Sequence, residues 1–151
     1  MTTHCRIGIV NLDTSVDSIY CHMDGYPSHN GRILAENYAS ELQIHKLLEL
    51  GGLLTLGKDI GVAHPNYVDV INNGGEYKEW KRLYGDMCLA FGRDLNGDMP
   101  LVHSDDVTDF RKLQESYNYL FVAGVWYMCE YNNHNWRQLS RILVEEFTKQ
   151  A

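Results

Sequence analysis

The chain of 151 residues is poor in the features that usually announce a function: it has 3 prolines, 4 cysteines and more acidic than basic side chains. Each shortage excludes something. Cys5, Cys21, Cys88 and Cys129 are separated singles, and without a C-x-x-C pair the spacing of a structural zinc site is missing. Cys21, Cys88 and Cys129 fall in apolar runs, where a free cysteine behaves as a small buried hydrophobe, and a reducing cytoplasm is the expected compartment. No apolar run approaches the roughly 20 residues that span a bilayer. The first residues, Met-Thr-Thr-His-Cys-Arg, hold no apolar signal core, so neither a membrane nor an export route is expected. Positive charge is also short, 13 Lys and Arg against 20 Asp and Glu for a net charge of −7, which repels a phosphate backbone and argues against a nucleic-acid partner. The carboxylates are dispersed instead of gathered in rows, so an acidic DNA mimic is set aside as well. Phosphate-binding and dinucleotide-binding glycine loops, the G-x-S-x-G elbow and the kinase set are all missing. Enzyme classes with readable signatures are thereby disfavoured, and no cofactor is expected.

What is present is an ordinary globular composition, 44% hydrophobic and 22% charged. A chain of this length buries about 70% of its unfolded surface, so residues 1–151 are read as a single domain that needs no disulfide or metal to fold. Residues 6–11 alternate, with Ile7 and Ile9 on one side and Gly8 and Val10 on the other, and residues 16–23 are rich in β-branched and aromatic types; together they predict an N-terminal hairpin. A short helix is expected over 28–38, and a second after Ser40, which with Gln43 matches a capping box and which Gly51-Gly52 closes. Residues 57–75 read as a long irregular connection, 76–84 as a short helix burying Tyr77, Trp80 and Leu83 or Tyr84, and 87–91 as a middle strand. An N-capped helix over 104–115 leads to a hairpin, 117–122 with 125–131, turned at Ala123-Gly124. A C-terminal helix carrying Trp136, Leu139, Ile142, Leu143 and Phe147, capped by Asn135, completes the chain. The expected fold is α+β: a single antiparallel sheet of about five strands with helices packed mainly on one face.

Three constellations could carry chemistry. In the stretch from Ile19 to Pro27, strand alternation puts Tyr20, His22 and Asp24 on one face and sends Cys21 to the other. An Asp beside an imidazole is the pattern of an acid–base pair, so His22 and Asp24 are the catalytic candidates if the protein is an enzyme, whereas a Cys21-His22 nucleophile pair is geometrically poor. The plainer reading is a strand end whose Asp24-Gly25 makes a turn, followed by Tyr26 and Pro27. The second constellation is Arg93-Asp94, where a guanidinium could clamp a carboxylate or phosphate; a polar β-turn is the plainer reading. Asp94-x-Asn96-x-Asp98 opens like a calcium loop, but Met99 and Asp105 stand where Gly and Glu are required. The third is an aromatic strip, Tyr117, Tyr119 and Phe121 with Tyr127 and Tyr131 on the partner strand, able to stack on a flat ligand and read more plainly as core. His64 and His103 are isolated, without metal-ligand spacing.

The string Ile19-Tyr20-Cys21-His22-Met23-Asp24-Gly25-Tyr26-Pro27, with Gly31, the Leu-rich segment 47–56, Arg93-Asp94 and Tyr117-Asn118-Tyr119-Leu120-Phe121, resembles a family of small proteins encoded by tailed bacteriophages and prophages and not assigned a function. The resemblance runs across most of residues 6–131 and leaves out the C-terminal helix from Trp136. Met23 departs from the family's Trp, and Asp94-Leu95-Asn96-Gly97-Asp98 departs from its Arg-Asp-x-Gly-Glu segment. What it implies is an accessory protein in the host bacterial cytoplasm, acting as a non-catalytic binding module on a host or defence-system protein. Two alternatives stand beside that reading. One is a sponge for a nucleotide-like small molecule held by Arg93, Tyr119 and the Tyr20 to Tyr26 stretch; the other is a small hydrolase using His22 and Asp24. Interaction residues are thus expected among Tyr20, His22, Asp24, Tyr26, Arg93, Asp94 and Tyr119, with no metal, and a homo-oligomer is left open.

Overall fold

A computed structural model describes residues 2–133 and 135–150. The N-terminal hairpin forms as its alternation predicts: β1 (Cys5–Val10) and β2 (Val16–Cys21) pair antiparallel from Cys5 opposite Cys21 to Val10 opposite Val16. The C-terminal hairpin, β6 (Tyr117–Val122) with β7 (Val125–Glu130), turns at Ala123 and Gly124, both at positive φ, as a two-residue hairpin turn of this twist requires. The two hairpins dock side by side through a parallel pairing of β1 with β6. Three short strands extend the sheet beyond β2: β3 (Leu53–Thr55) runs parallel to it, β4 (Leu89–Ala90) follows antiparallel to β3, and β5 (Val102–Ser104) pairs with β2 at its other end. With β8 (Arg137–Gln138) beside β7 the sheet of the described residues has eight strands, seven in the order β4-β3-β2-β1-β6-β7-β8 and β5 off that path against β2. The fold is therefore α+β as expected, but the sheet is mixed and larger than five antiparallel strands. Strands of two or three residues leave no periodic signal, and the parallel contacts are set by how distant segments dock.

One face of the sheet is covered by a π-helical turn (Pro27–Gly31), α1 (Arg32–Asn37), α2 (Glu41–Glu49) and α7 (Leu139–Gln150). The core there joins Cys5, Ile7, Ile9, Ile19, Cys21, Tyr119, Phe121, Trp126 and Met128 of the strands to Leu34, Ile44, Leu47, Leu48, Leu139 and Ile142 of the helices. Each fully buried aliphatic side chain there contributes about 1.5–3 kcal/mol. Across the sheet, Val16 and Leu120 form a smaller core with Phe110 of α6 (Val107–Arg111), against which Trp136 packs.

Local signals hold in several places. Ser40 Oγ accepts from Gln43 N at 3.2 Å to cap α2, and Asp106 caps α6 through Asp109 N at 2.8 Å. The connection 57–75 is not wholly irregular, because Asn66 caps a further helix, α3 (Tyr67–Asn72). In α4 (Tyr77–Tyr84) only Trp80 is buried, while Tyr77 and Leu83 are half exposed. Leu89–Ala90 runs directly into a single helical turn, α5 (Phe91–Asp94). The C-terminal helix begins at Leu139, after β8, so Asn135 does not cap it, and Trp136 packs on the opposite side of the sheet. Among the described residues no helix is long and apolar enough to cross a membrane.

Two features of this scaffold are testable. Gly51 ends α2 at φ +72°, and a Cβ there would collide with the carbonyl oxygen of Met99. Gly51→Ala should lower stability by about 1–3 kcal/mol, read as a lower urea midpoint with an unchanged slope. At the far end of β2, His103 Nδ1 lies 2.6 Å from Asp17 Oδ1 across the β2–β5 ladder. That hydrogen bond, with Asp105 and Asp13 nearby, raises the imidazole above its ordinary value. The protonated form is favoured in the folded state, so its stabilisation is complete below the unfolded value of about 6.5 and is lost as pH rises through the higher folded value. The wild type should exceed His103→Gln in urea midpoint at the acidic end of a pH series and lose that advantage at the alkaline end.

Candidate functional site

The stretch that ends β2 is built by a backbone reversal. Cys21 closes the strand pointing into the helix-covered core, as alternation predicts, where Asn30 Nδ2 lies 3.5 Å from both its Sγ and that of Cys5. The hydrogen bond with Cys5, then burial, pushes the Cys21 thiol well above its ordinary pKa, which keeps it an unreactive thiol. All four cysteines are free and buried. Asp24 takes the left-handed conformation at φ 58°. Gly25 then packs so closely on the His4–Cys5 backbone that a Cβ would come within 2.7 Å of it, and its carbonyl accepts from the Tyr119 hydroxyl at 2.7 Å.

This reversal separates the predicted site residues. Tyr20 and His22 remain on the open face of the sheet. Asp24 swings away and faces His29, with 3.9 Å between Oδ2 and Nε2, beside Tyr26, which sits edge-on to the same His29 ring. Asp24 therefore does not orient His22, because the left-handed residue breaks the alternation that would have aligned them. Tyr119 is fully buried on the helix-covered face and is unavailable to any ligand. The aromatic strip also differs from expectation: the neighbour opposite Phe121 is Trp126, whereas Tyr127 lies on the other face and Tyr131 beyond the strand.

Arg93 and Asp94 lie elsewhere and hold structure. Asp94 has no exposed side-chain surface; its oxygens accept from Ala90 N at 2.8 Å, His64 N at 3.3 Å and Arg93 Nε at 2.9 Å. The Arg93 guanidinium donates onward to the carbonyls of Ile60, Gly61 and Cys88. With its donors committed to the Asp94 carboxylate and to backbone carbonyls, Arg93 clamps residues 60–61 against β4.

Tyr20 and His22 instead share an open cavity of about 490 Å³ with Arg6, lined also by Phe91, Met99, Pro100 and Val102. Hairpin register puts Arg6 directly opposite Tyr20, and the parallel pairing puts it beside Asn118. Arg6 is 6% exposed. Its Nε donates to Ser18 Oγ at 2.9 Å, and among the described residues its Nη nitrogens have no hydrogen bond and no carboxylate ion-pairs with it. Burial lowers its pKa and the field of Glu115 partly restores it, but a guanidinium stays charged at any physiological pH. Asn118 sets Glu115 in place by bonding to both its N–H and its carbonyl.

Above Arg6 a hydrogen-bond relay fixes the histidines. His4 Nδ1 lies 2.8 Å from the His22 carbonyl, which can only accept, so His4 carries its proton on Nδ1. The Tyr20 hydroxyl lies 3.0 Å from that nitrogen and 2.8 Å from His22 Nδ1, and with His4 Nδ1 already carrying a proton, His22 Nδ1 is the ring nitrogen to which it can donate. Burial, with Glu115 adding, raises the Tyr20 pKa and keeps it a donor. His22 is left as the Nε2–H tautomer, its ring stacked on His4 at 4.6 Å. The strand face thus presents donors, Arg6 Nη and His22 Nε2–H, to a cavity whose other lining is apolar. That lining is held by Gly52: its N–H donates to the Met99 carbonyl at 2.7 Å and its carbonyl accepts from Phe91 N at 3.1 Å.

Sequence reading had Tyr20 and His22 but missed Arg6 and His4. The signal was available: counting the hairpin register outward from the Asn11–Ser15 loop places Arg6 opposite Tyr20. Among the described residues no group of three metal-ligating side chains converges. Tyr20→Phe should release the relay, costing about 1 kcal/mol of stability. Long-range proton–nitrogen spectra should show His22 as the Nε2–H and His4 as the Nδ1–H tautomer in the wild type, with His22 losing its single tautomer in the variant. Compared with protein-family models, curated proteins and solved structures, the chain matches none.

Proposed function

We propose that the protein is a non-catalytic binding module for a small anionic molecule, held in the Arg6 cavity. One observation carries this reading: a buried guanidinium with unbonded Nη donors, free of any carboxylate ion pair among the described residues, forms part of a cavity of ligand size. Those Nη atoms are not sealed from solvent, since among the described residues the buried side-chain atom without a partner is His64 Nε2; they are open to the cavity, where an anion could take two parallel bonds from them. His22 is hydrogen-bonded to Tyr20 and has no acid–base pairing with Asp24, which faces His29. A hydrolase built on those two residues is therefore not favoured. In the phage setting that the resemblance implies, such a module would sequester a host metabolite.

Engagement of a host or defence-system protein keeps support from a different place. Helices α3 and α4 present Val68, Ile71, Tyr77 and Leu83, each about half exposed, and exposed apolar side chains grouped on neighbouring helices are a feature of protein-binding surfaces.

Thermal melts against a panel of organic anions and nucleotides test the leading reading. An anion at about 100 times its dissociation constant adds roughly 2.7 kcal/mol to stability, a shift that Arg6→Met should abolish. Arg6→Met itself should fold with an unchanged or higher melting temperature, because an apolar side chain of similar length replaces a buried charge. A panel in which no anion shifts the wild type would sink the proposal.

A further inference from the structure

The geometry points to a more specific ligand: a monocarboxylate carried on a flat or extended apolar body. This rests on the Arg6 reading above and narrows it by charge, by donor geometry and by the chemistry of the apolar lining.

Charge comes first. Arg6 supplies one positive charge to the cavity, and its field is already shared by the Glu115 carboxylate. His4 Nδ1 is turned to the His22 carbonyl, so its proton there is spent inside the relay and is not offered to a ligand. With the Glu115 carboxylate already acting on Arg6, one further negative charge is the most the guanidinium can meet, and the second charge of a phosphomonoester would be desolvated without a partner. The chain's net charge of −7 adds a long-range penalty that grows with ligand charge.

Donor geometry agrees. With Nε committed to Ser18, the pair of Nη nitrogens is the face of the guanidinium left to a ligand, and a planar carboxylate is the anion that a guanidinium fork matches with two parallel bonds. His22 Nε2–H offers one further donor on the same cavity wall. Phe91, Met99, Pro100 and Val102 provide no charged or polar side chain, so the rest of the ligand meets hydrocarbon, an aromatic ring and a thioether. A sugar or a polyhydroxyl body would lose its hydration there without replacement.

Three probes with one body and different heads separate the possibilities: 2-naphthoate, 2-naphthamide and 2-naphthyl phosphate, titrated calorimetrically into the full chain and into Arg6→Met, with the His22 ring resonances followed in parallel. The expected result is that 2-naphthoate binds at least about tenfold more tightly than either analogue, perturbs His22, and loses binding in Arg6→Met. If the phosphate binds more tightly than the carboxylate, and does so through Arg6, the monocarboxylate assignment is overturned while the anion-binding reading stands. If the amide binds as well as the carboxylate, or if none of the three binds more tightly than about 1 mM, the assignment is overturned, and equal binding by the amide removes the role given to Arg6 as well. Because Arg6→Met removes a buried group, circular dichroism of the variant accompanies the titration, and Arg6→Lys serves as a second variant. Lysine keeps the charge without the fork and should weaken 2-naphthoate by about tenfold or more; undiminished binding in Arg6→Lys would overturn the paired-carboxylate geometry.

Discussion

Strand β1 is paired along both edges, to β2 on one side and β6 on the other, and from Cys5 to Ile9 each of its residues is buried. A central strand in that position leaves its side chains only two directions. Cys5, Ile7 and Ile9 enter the helix-covered core; Arg6 and Gly8 take the opposite face. Gly8 has no room to be otherwise, since a Cβ would meet the Asp17 carbonyl and a Leu120 methyl at 3.0 Å. Arg6 is thus the charged side chain that the middle of the sheet must accommodate, and Ser18, Tyr20, Asn118 and Glu115 are arranged around it. A methionine or leucine would fill such a place at lower electrostatic cost. A guanidinium kept there, without an ion pair among the described residues, is the feature on which the proposed anion site rests.

The rest of the cavity follows from two close approaches of backbone. Gly25 lets the β2 reversal lie on His4 and Cys5, which brings the His4 ring over Tyr20 and His22 and allows the relay to form. Gly51 and Gly52 let the 99–100 segment cross the end of α2, which places Met99 and Pro100 in the lining of the Arg6 cavity. In both cases the glycine acts at a distance from the cavity it shapes, through what a side chain would displace.

Those two devices also explain what could be read in advance. Helices and hairpins governed by short-range signals were legible: the Ser40 cap, the Ala123-Gly124 turn, the alternation of β1 and the inward turn of Cys21. Features set by docking were not. The parallel β1–β6 ladder joins residues more than a hundred positions apart, and β3, β4, β5 and β8 are too short to show a period. For the site, Tyr20 and His22 were legible because they share a strand face. Asp24 misled because one left-handed residue reverses the alternation on which its placement depended. Arg93 misled for a different reason: a guanidinium beside a carboxylate looks alike in sequence whether it awaits a ligand or, as here, ties a loop to three carbonyls.

The strands and the connection that line the cavity are secured unequally. The strands are paired on both edges, and their opening requires much of the sheet to come apart. The 91–102 connection is tied by the Gly52 backbone bonds and by the three-residue ladder of β5, with Met99, Pro100 and Val102 all exposed. Segments with few buried contacts and short ladders open at a lower free energy than the global fold. The donors on the strand face stay fixed by β-sheet register and by the His4–Tyr20–His22 hydrogen bonds. Donors held in place before binding need no reordering when an anion arrives, and so retain more of their interaction as affinity.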